Sequence, residues 1–173
     1  MPFVTSSVLG VDLNNSSTTA LFALNQKVLG SDNSEWQYVI ATGTLTTGMT
    51  VYINTAGTAA AFGTAQLNAL VTGGADLGFA QYTIAQGSYG FVAKQGTNLY
   101  VMCSGTVPGG AALGWGVPGA QGNTGALCTA GLVGVGTTAA GIFITTSAST
   151  AGISVATGIV TFPRPAASAP AVS

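Results

Sequence analysis

Asp12, Asp32, Glu35 and Asp76 are the carboxylates of this 173-residue chain, Lys27, Lys94 and Arg164 its cations, and Cys103 and Cys128 its thiols; there is no histidine. Without an imidazole, neither a Ser-His-Asp nor a Cys-His arrangement can be built. A glycosidase needs two carboxylates facing each other across a groove. Glu35 and Asp76 are the pair on offer, and nothing in their spacing brings them together. Asp32 and Glu35 flank a turn signal, where a turn aspartate and a solvated strand glutamate account for both. Asp32-Asn33-Ser34-Glu35 gathers oxygen ligands of the kind Ca²⁺ takes, without the EF-hand order. The glycines between 131 and 136 are not followed by the lysine of a phosphate-binding loop. Cys103 and Cys128 lack metal-site spacing and read as buried small hydrophobes; whether they pair is left open. The expectation is a chain with no catalytic, metal or cofactor site, and not an enzyme.

Charge excludes further classes. Only 4% of the residues are charged and the net charge is -1, against about 25% charged in an ordinary soluble domain. Three cations cannot neutralise a phosphate backbone, so no nucleic-acid partner is expected. Much of the hydrophobic fraction of 47% is Ala, interleaved with Gly, Ser and Thr. Pro108-Gly109-Gly110 and Pro118-Gly119 interrupt the uncharged stretch between Lys94 and Arg164. No run approaches the roughly 20 apolar residues of a transmembrane helix, and aromatics are sparse after Trp115, unlike a membrane barrel with aromatic girdles. No membrane partner is expected. Residues 1–4 carry no basic or apolar signal region. A surface so poor in charge is best kept soluble when copies of the chain, or a larger assembly, cover it.

The elements that would hold such a surface are strands. In residues 35–41, Trp36, Tyr38 and Ile40 share one face and Glu35, Gln37 and Val39 the other, the period of a half-buried strand. Residues 49–54 give a second strand, 56–61 a small-residue connection, and 65–71 the one helical turn, stopped by Gly73-Gly74. Strands at 77–84, 89–94 and 99–103, joined by turns at 86–88 and 95–98, make a meander. Strands are also expected within 127–135, 142–146 and 153–162. Pro163 and Pro165 should end the last ladder. No repeat with a period of 20 to 50 residues stands out. Short strands at about ten-residue spacing predict an all-β fold, a β-sandwich or β-barrel-like domain with extended N- and C-terminal segments. Residues 1–24 form an arm or first irregular strand, 25–162 the β-rich domain (with 25–103 and 104–162 as subregions), and 163–173 a Pro-rich tail.

Trp36, Tyr38, Tyr52, Phe79, Tyr82, Tyr89, Phe91 and Tyr100 fall on these strands, where they build a core or, alternatively, a platform for sugars or a protein partner. Trp115 stands apart, in a Gly- and Pro-rich loop. Residues 27–39, Lys-Val-Leu-Gly-Ser-Asp-Asn-Ser-Glu-Trp-Gln-Tyr-Val, resemble an opening found in small virion proteins of tailed bacteriophages. The stretch from Leu77-Gly78-Phe79-Ala80-Gln81 through Tyr89-Gly90-Phe91-Val92-Ala93 to Asn98-Leu99-Tyr100-Val101 resembles them too. The likeness covers residues 27–103 and is to head decoration, or cement, proteins.

That resemblance implies a structural protein on the capsid surface of a virion, made in the host cytoplasm. It would act as a homotrimer that binds the major capsid protein shell and stabilises it, through buried area and multivalency. It transfers no catalytic residue. Contact residues are expected from exposure at Phe3, Val4, Val8 and Leu9, at Trp115, and at Pro163, Arg164 and Pro165. Two alternatives remain open: a phage fibre or tail component, and a carbohydrate-binding adhesin module using Trp36 and Tyr38.

Overall fold

A computed structural model describes residues 12–30, 32–63, 66, 75–110, 113–115, 127–129, 138–146 and 153–166; at 113–115, 127–129, 138–141, 153 and 162–166 it describes the backbone alone. The chain is all-β. The described strands are β1 (Lys27–Leu29), β2 (Glu35–Ala41), β3 (Thr50–Ile53), β4 (Thr58–Ala61), β5 (Asp76–Phe79), β6 (Tyr89–Ser104), β7 (Leu113–Trp115), β8 (Leu127–Thr129), β9 (Thr138–Ile144) and β10 (Ile153–Ala166).

Five of them close into a mixed barrel in the order β2-β4-β3-β5-β6, with β6 returning to β2. The β2–β4 pair is parallel and the others antiparallel. One cluster of buried side chains draws on every strand or its end: Val39, Ala41, Val51, Ile53, Ala59, Ala80 and Val92, closed by Leu45 and Ile84. This is the barrel interior. Its fully buried side chains are all aliphatic, with Met49 and Tyr82 packed against them, as suits the small interior of a narrow barrel. The same constraint explains β4. Its Thr-Ala-Ala-Ala sequence reads as a connection, yet Ala59 is fully buried between β2 and β3, where a larger side chain would not fit.

The expected half-buried strand at 35–41 forms with those bounds but is buried on both faces. Trp36 and Tyr38 leave the barrel outward into a second cluster with Leu77, Phe79, Phe91 and Ala93. Trp36 is fully buried, and its Nε1–H donates to Ser34 Oγ at 2.7 Å, which in turn donates to Asp32.

The turn expected at 95–98 is absent. β6 runs unbroken through it, with a left-handed Asn98 (φ 56°) marking the irregularity. Gly96, Thr97 and Asn98 have turn composition, but both sides of the kink are claimed by partners. β2 pairs with residues 89–95 and β10 with residues 95–104. The meander is therefore one hairpin-like pairing of β5 with the first half of a long strand. The ladder also does not stop at Pro163: Arg164, Pro165 and Ala166 pair with Ala140, Ala139 and Thr138 after a register shift. Past Thr161 no β6 residue is in register with β10, so this end of β10 has a partner strand on one side, as suits a strand that carries proline. Of the expected helical turn at 65–71, only Gln66 is described, its N–H bonded to the Gly63 carbonyl at 3.1 Å; the rest lies outside the described residues.

The remaining strands follow a pattern already met. β6 pairs with β8 in parallel, β8 with β7, β7 with β9, β9 with β10, and β10 with β6. Adding four to each strand number of the first ring reproduces every pairing and its direction. Sequence follows: Tyr38, Val39, Gly43, Thr44 and Gly48 recur as Tyr100, Val101, Gly105, Thr106 and Gly110, each 62 residues on, with Leu45 matched by Val107. Geometry follows too. Gly48 (φ 81°) donates to the carbonyl of Ala80, just after β5, and Gly110 (φ 78°) to that of Ile144, at the end of β9. The chain is a tandem of two rings sharing β6. Its period of 62 lies above the 20 to 50 residues where no repeat stood out.

The two rings lie on opposite sides of the shared strand. Phe91 and Ala93, outward from the first ring, join the same cluster as Leu99, Val101 and Cys103, which with Val107, Ile144 and Ala156 form the interior of the second.

Candidate functional site

Residues 12–30 are the covering segment of the first ring. Leu13 is buried and Phe22 and Val28 pack against the outer aromatic cluster. Phe22 meets Tyr38 edge-on at 5.2 Å and Phe91 at 5.4 Å, and Tyr38 stacks on Tyr89 at 6.1 Å. Such pairs add to plain burial. Three polar contacts fix the path. Ser17 bridges Tyr89, the Leu21 N–H donates to Tyr38 Oη at 3.0 Å, and Tyr82 Oη donates to the Asn15 carbonyl at 2.9 Å. Tyr82 Oη also accepts from the Phe91 N–H at 2.8 Å. Burial pushes the Tyr82 phenol up to about 12, opposed by that N–H and assisted by Asp12 and Tyr38. Beneath the segment lies a cleft of about 180 Å³ bordered by Asp12, Asn15, Phe22, Tyr38, Tyr89 and Phe91.

The charged side chains are largely spent within the fold. Lys27 pairs with Glu35 at 3.1 Å and Lys94 with Asp76 at 3.2 Å. Lys94 is buried while the Asp76 carboxylate is half exposed. Burial lowers the Lys94 pKa from its usual value, and Asp76 works against that shift. Asp32 accepts from the Ser34 N–H and hydroxyl. The carboxylates considered for a glycosidase pair, Glu35 and Asp76, are each held by a lysine, and no cluster of three potential metal ligands occurs among the described residues. Cys103 is buried, its Sγ 3.7 Å from the Val101 carbonyl. No helix among the described residues is long and apolar enough to cross a membrane.

A second surface was not legible in the sequence. On the outer face of the second ring, Phe143 is 53% exposed, Val155 47% and Ile159 38%. Phe143 stands opposite Ile159, and Thr157 between Val155 and Ile159 stands opposite Tyr100, so these residues share one face. Their polar neighbours are hydroxyls that bond the Thr157 backbone: Thr145 Oγ1 donates to the Thr157 carbonyl at 2.9 Å and Thr146 Oγ1 accepts from the Thr157 N–H at 2.9 Å. Leu21 and Leu29, 67% and 63% exposed, add apolar surface on the covering segment and β1.

Of the contact residues expected from sequence, Phe3, Val4, Val8 and Leu9 lie outside the described residues. Trp115 is not in a loop. It ends β7 opposite Leu127, in keeping with the strand preference of tryptophan between short turns. Pro163, Arg164 and Pro165 stand on β10, continuous with the strand that carries Val155 and Ile159. Trp36 and Tyr38, considered as a sugar platform, are buried. Comparison of the chain with protein families and with curated proteins finds no match.

Proposed function

We propose that the chain is a structural virion protein that decorates a bacteriophage capsid, binding the major capsid protein shell as a homotrimer and stabilising it without catalysis. The observation that carries this reading is the surface. Four of the seven charged residues pair internally, and Phe143, Val155 and Ile159 present an uncharged apolar face on a rigid sheet. A free monomer gains nothing from such a face, whereas a shell-bound protein gains affinity from it, multiplied by symmetry. The resemblance over residues 27–103 points the same way. The test is addition of purified protein to undecorated heads. Binding, with a rise in the heads' melting temperature, is expected; heads that neither bind the protein nor gain stability would refute the reading.

The aromatic cleft beside Asp12 favours one second reading, a carbohydrate-binding module, with Tyr89 rather than Trp36 in contact with the sugar. A glycan array run with Tyr89→Ala as control separates the two readings.

A further inference from the structure

We infer that the outer face of the second ring is the docking site for residues 1–11 of a second copy of this chain. The tandem repeat carries the inference. Through the register, Tyr38 of the first ring corresponds to Tyr100 of the second. Their cross-strand partners Phe91 and Thr157 correspond, as do Tyr89 and Val155. In the first ring this face is covered by residues 12–30, with Phe22 on Tyr38 and Phe91 and Ser17 on Tyr89. In the second ring Tyr100 and Thr157 are only half-buried and Val155 is exposed, with Phe143 and Ile159 exposed beside them.

The reason is topological. The first ring takes its cover from the residues that precede its first strand, β2. The first strand of the second ring is β6, and what precedes it is β5, already used by the first ring. Among the described residues, one covering segment therefore serves two equivalent faces.

Residues 1–11, Met-Pro-Phe-Val-Thr-Ser-Ser-Val-Leu-Gly-Val, resemble residues 13–26 of the segment that covers the first ring: no charged side chain but hydroxyls, with apolar anchors at Phe3, Val4, Val8, Leu9 and Val11. Extended, 11 residues reach roughly 35–40 Å, ample to cross the β9 and β10 strands. The donor is a second copy, because the chain's own Leu13 to Ser17 are fastened over Tyr89 and Phe91, on the side of β6 away from the face of Tyr100. Head-to-tail donation of this kind closes into a ring when the rotation allows. The inference needs no capsid, so its failure and that of the decoration reading are separable.

The experiment is analytical ultracentrifugation over a concentration series on the full chain, on a variant lacking residues 1–11, on Phe143→Asp and on the combination, with folding checked by thermal melts. The full chain should self-associate. Each single change should weaken association by about tenfold or more, and the combination should add little because both remove one contact. A Leu29→Ser control should leave association unchanged. In parallel, a photoreactive phenylalanine analogue at position 3, in mixed ¹⁵N and ¹⁴N chains, should cross-link to β9 or β10 of the other isotope. A monomeric full chain, an unchanged association constant after deletion, independent additive effects, or cross-links only within one isotope would each overturn the proposal.

Discussion

Tyr82→Phe tests how the covering segment is fastened. One phenolic oxygen serves two elements, accepting from the Phe91 N–H at 2.8 Å and donating to the Asn15 carbonyl at 2.9 Å. Phe91 is buried, so its N–H is left without a partner and the substitution costs about 1–3 kcal/mol there. Asn15 is exposed and its carbonyl rehydrates at small cost. The same residue fixes an alkaline transition. Its folded pKa is about 12 against 10.0 for free tyrosine. Its contribution is therefore fully present below pH 10 and is lost as the pH rises to about 12. A two-unit shift corresponds to at most about 2.7 kcal/mol. Lys94 acts with the opposite sign: its folded pKa lies below 10.5, so stability rises with pH between that depressed value and 10.5. Urea unfolding between about pH 10.5 and 12, above the range in which Lys94 acts, should show wild-type stability falling more steeply than that of Tyr82→Phe. Equal alkaline losses in both proteins would refute the assignment, as would a neutral-pH stability unchanged by the substitution.

Other substitutions follow from the same contacts. Asp76→Ala leaves a buried ammonium without its anion and should cost about 2–4 kcal/mol, whereas Lys94→Met leaves only a half-exposed carboxylate and should cost under about 1; chemical denaturation of both reads the asymmetry. Ser34→Ala removes the acceptor of the Trp36 indole N–H and should lower stability by about 1–3 kcal/mol with little change in Trp fluorescence shape. Gly48→Ala places a Cβ 2.9 Å from the Met102 nitrogen at φ 81°, while Gly87→Ala meets nothing within 4 Å at φ 77°. The first should therefore cost clearly more than the roughly 1 kcal/mol of left-handed strain expected of the second, as differential thermal melts would show.

The sequence was readable wherever one strand decides its own fate. Residues 35–41 alternate β-formers, and they form β2 with the expected bounds. It was unreadable where a neighbour decides. Thr58–Ala61 becomes a strand because the barrel admits only small residues between β2 and β3. Gly96 to Asn98 makes a kink within one strand rather than a turn between two, because β10 takes over the ladder from β2 at Gln95. The exposed face was hidden for a similar reason. Phe143 lies between Ile142 and Ile144, and Ile159 beside Val160, neighbours equally suited to a core, and only the closure of the second ring assigns Phe143, Val155 and Ile159 outward.

The shared strand has a consequence for stability. Each ring alone is a set of short strands, several of only three or four residues, with a small-residue interior, and short strands hold together only when packed on a common apolar face. β6 gives both rings their longest strand, and the largest core cluster lies across it, joining Trp36 and Phe79 on the outside of one ring to Val101 and Ile144 inside the other. A cavity there damages both rings at once. Phe91→Ala, which removes a fully buried ring in contact with Tyr38 and Phe22, should cost about 3–5 kcal/mol. It should also lower the melting of the whole chain as one transition rather than separate it into two. Two calorimetric transitions, one unmoved by the substitution, would show that the rings fold independently and that β6 is a junction without coupling.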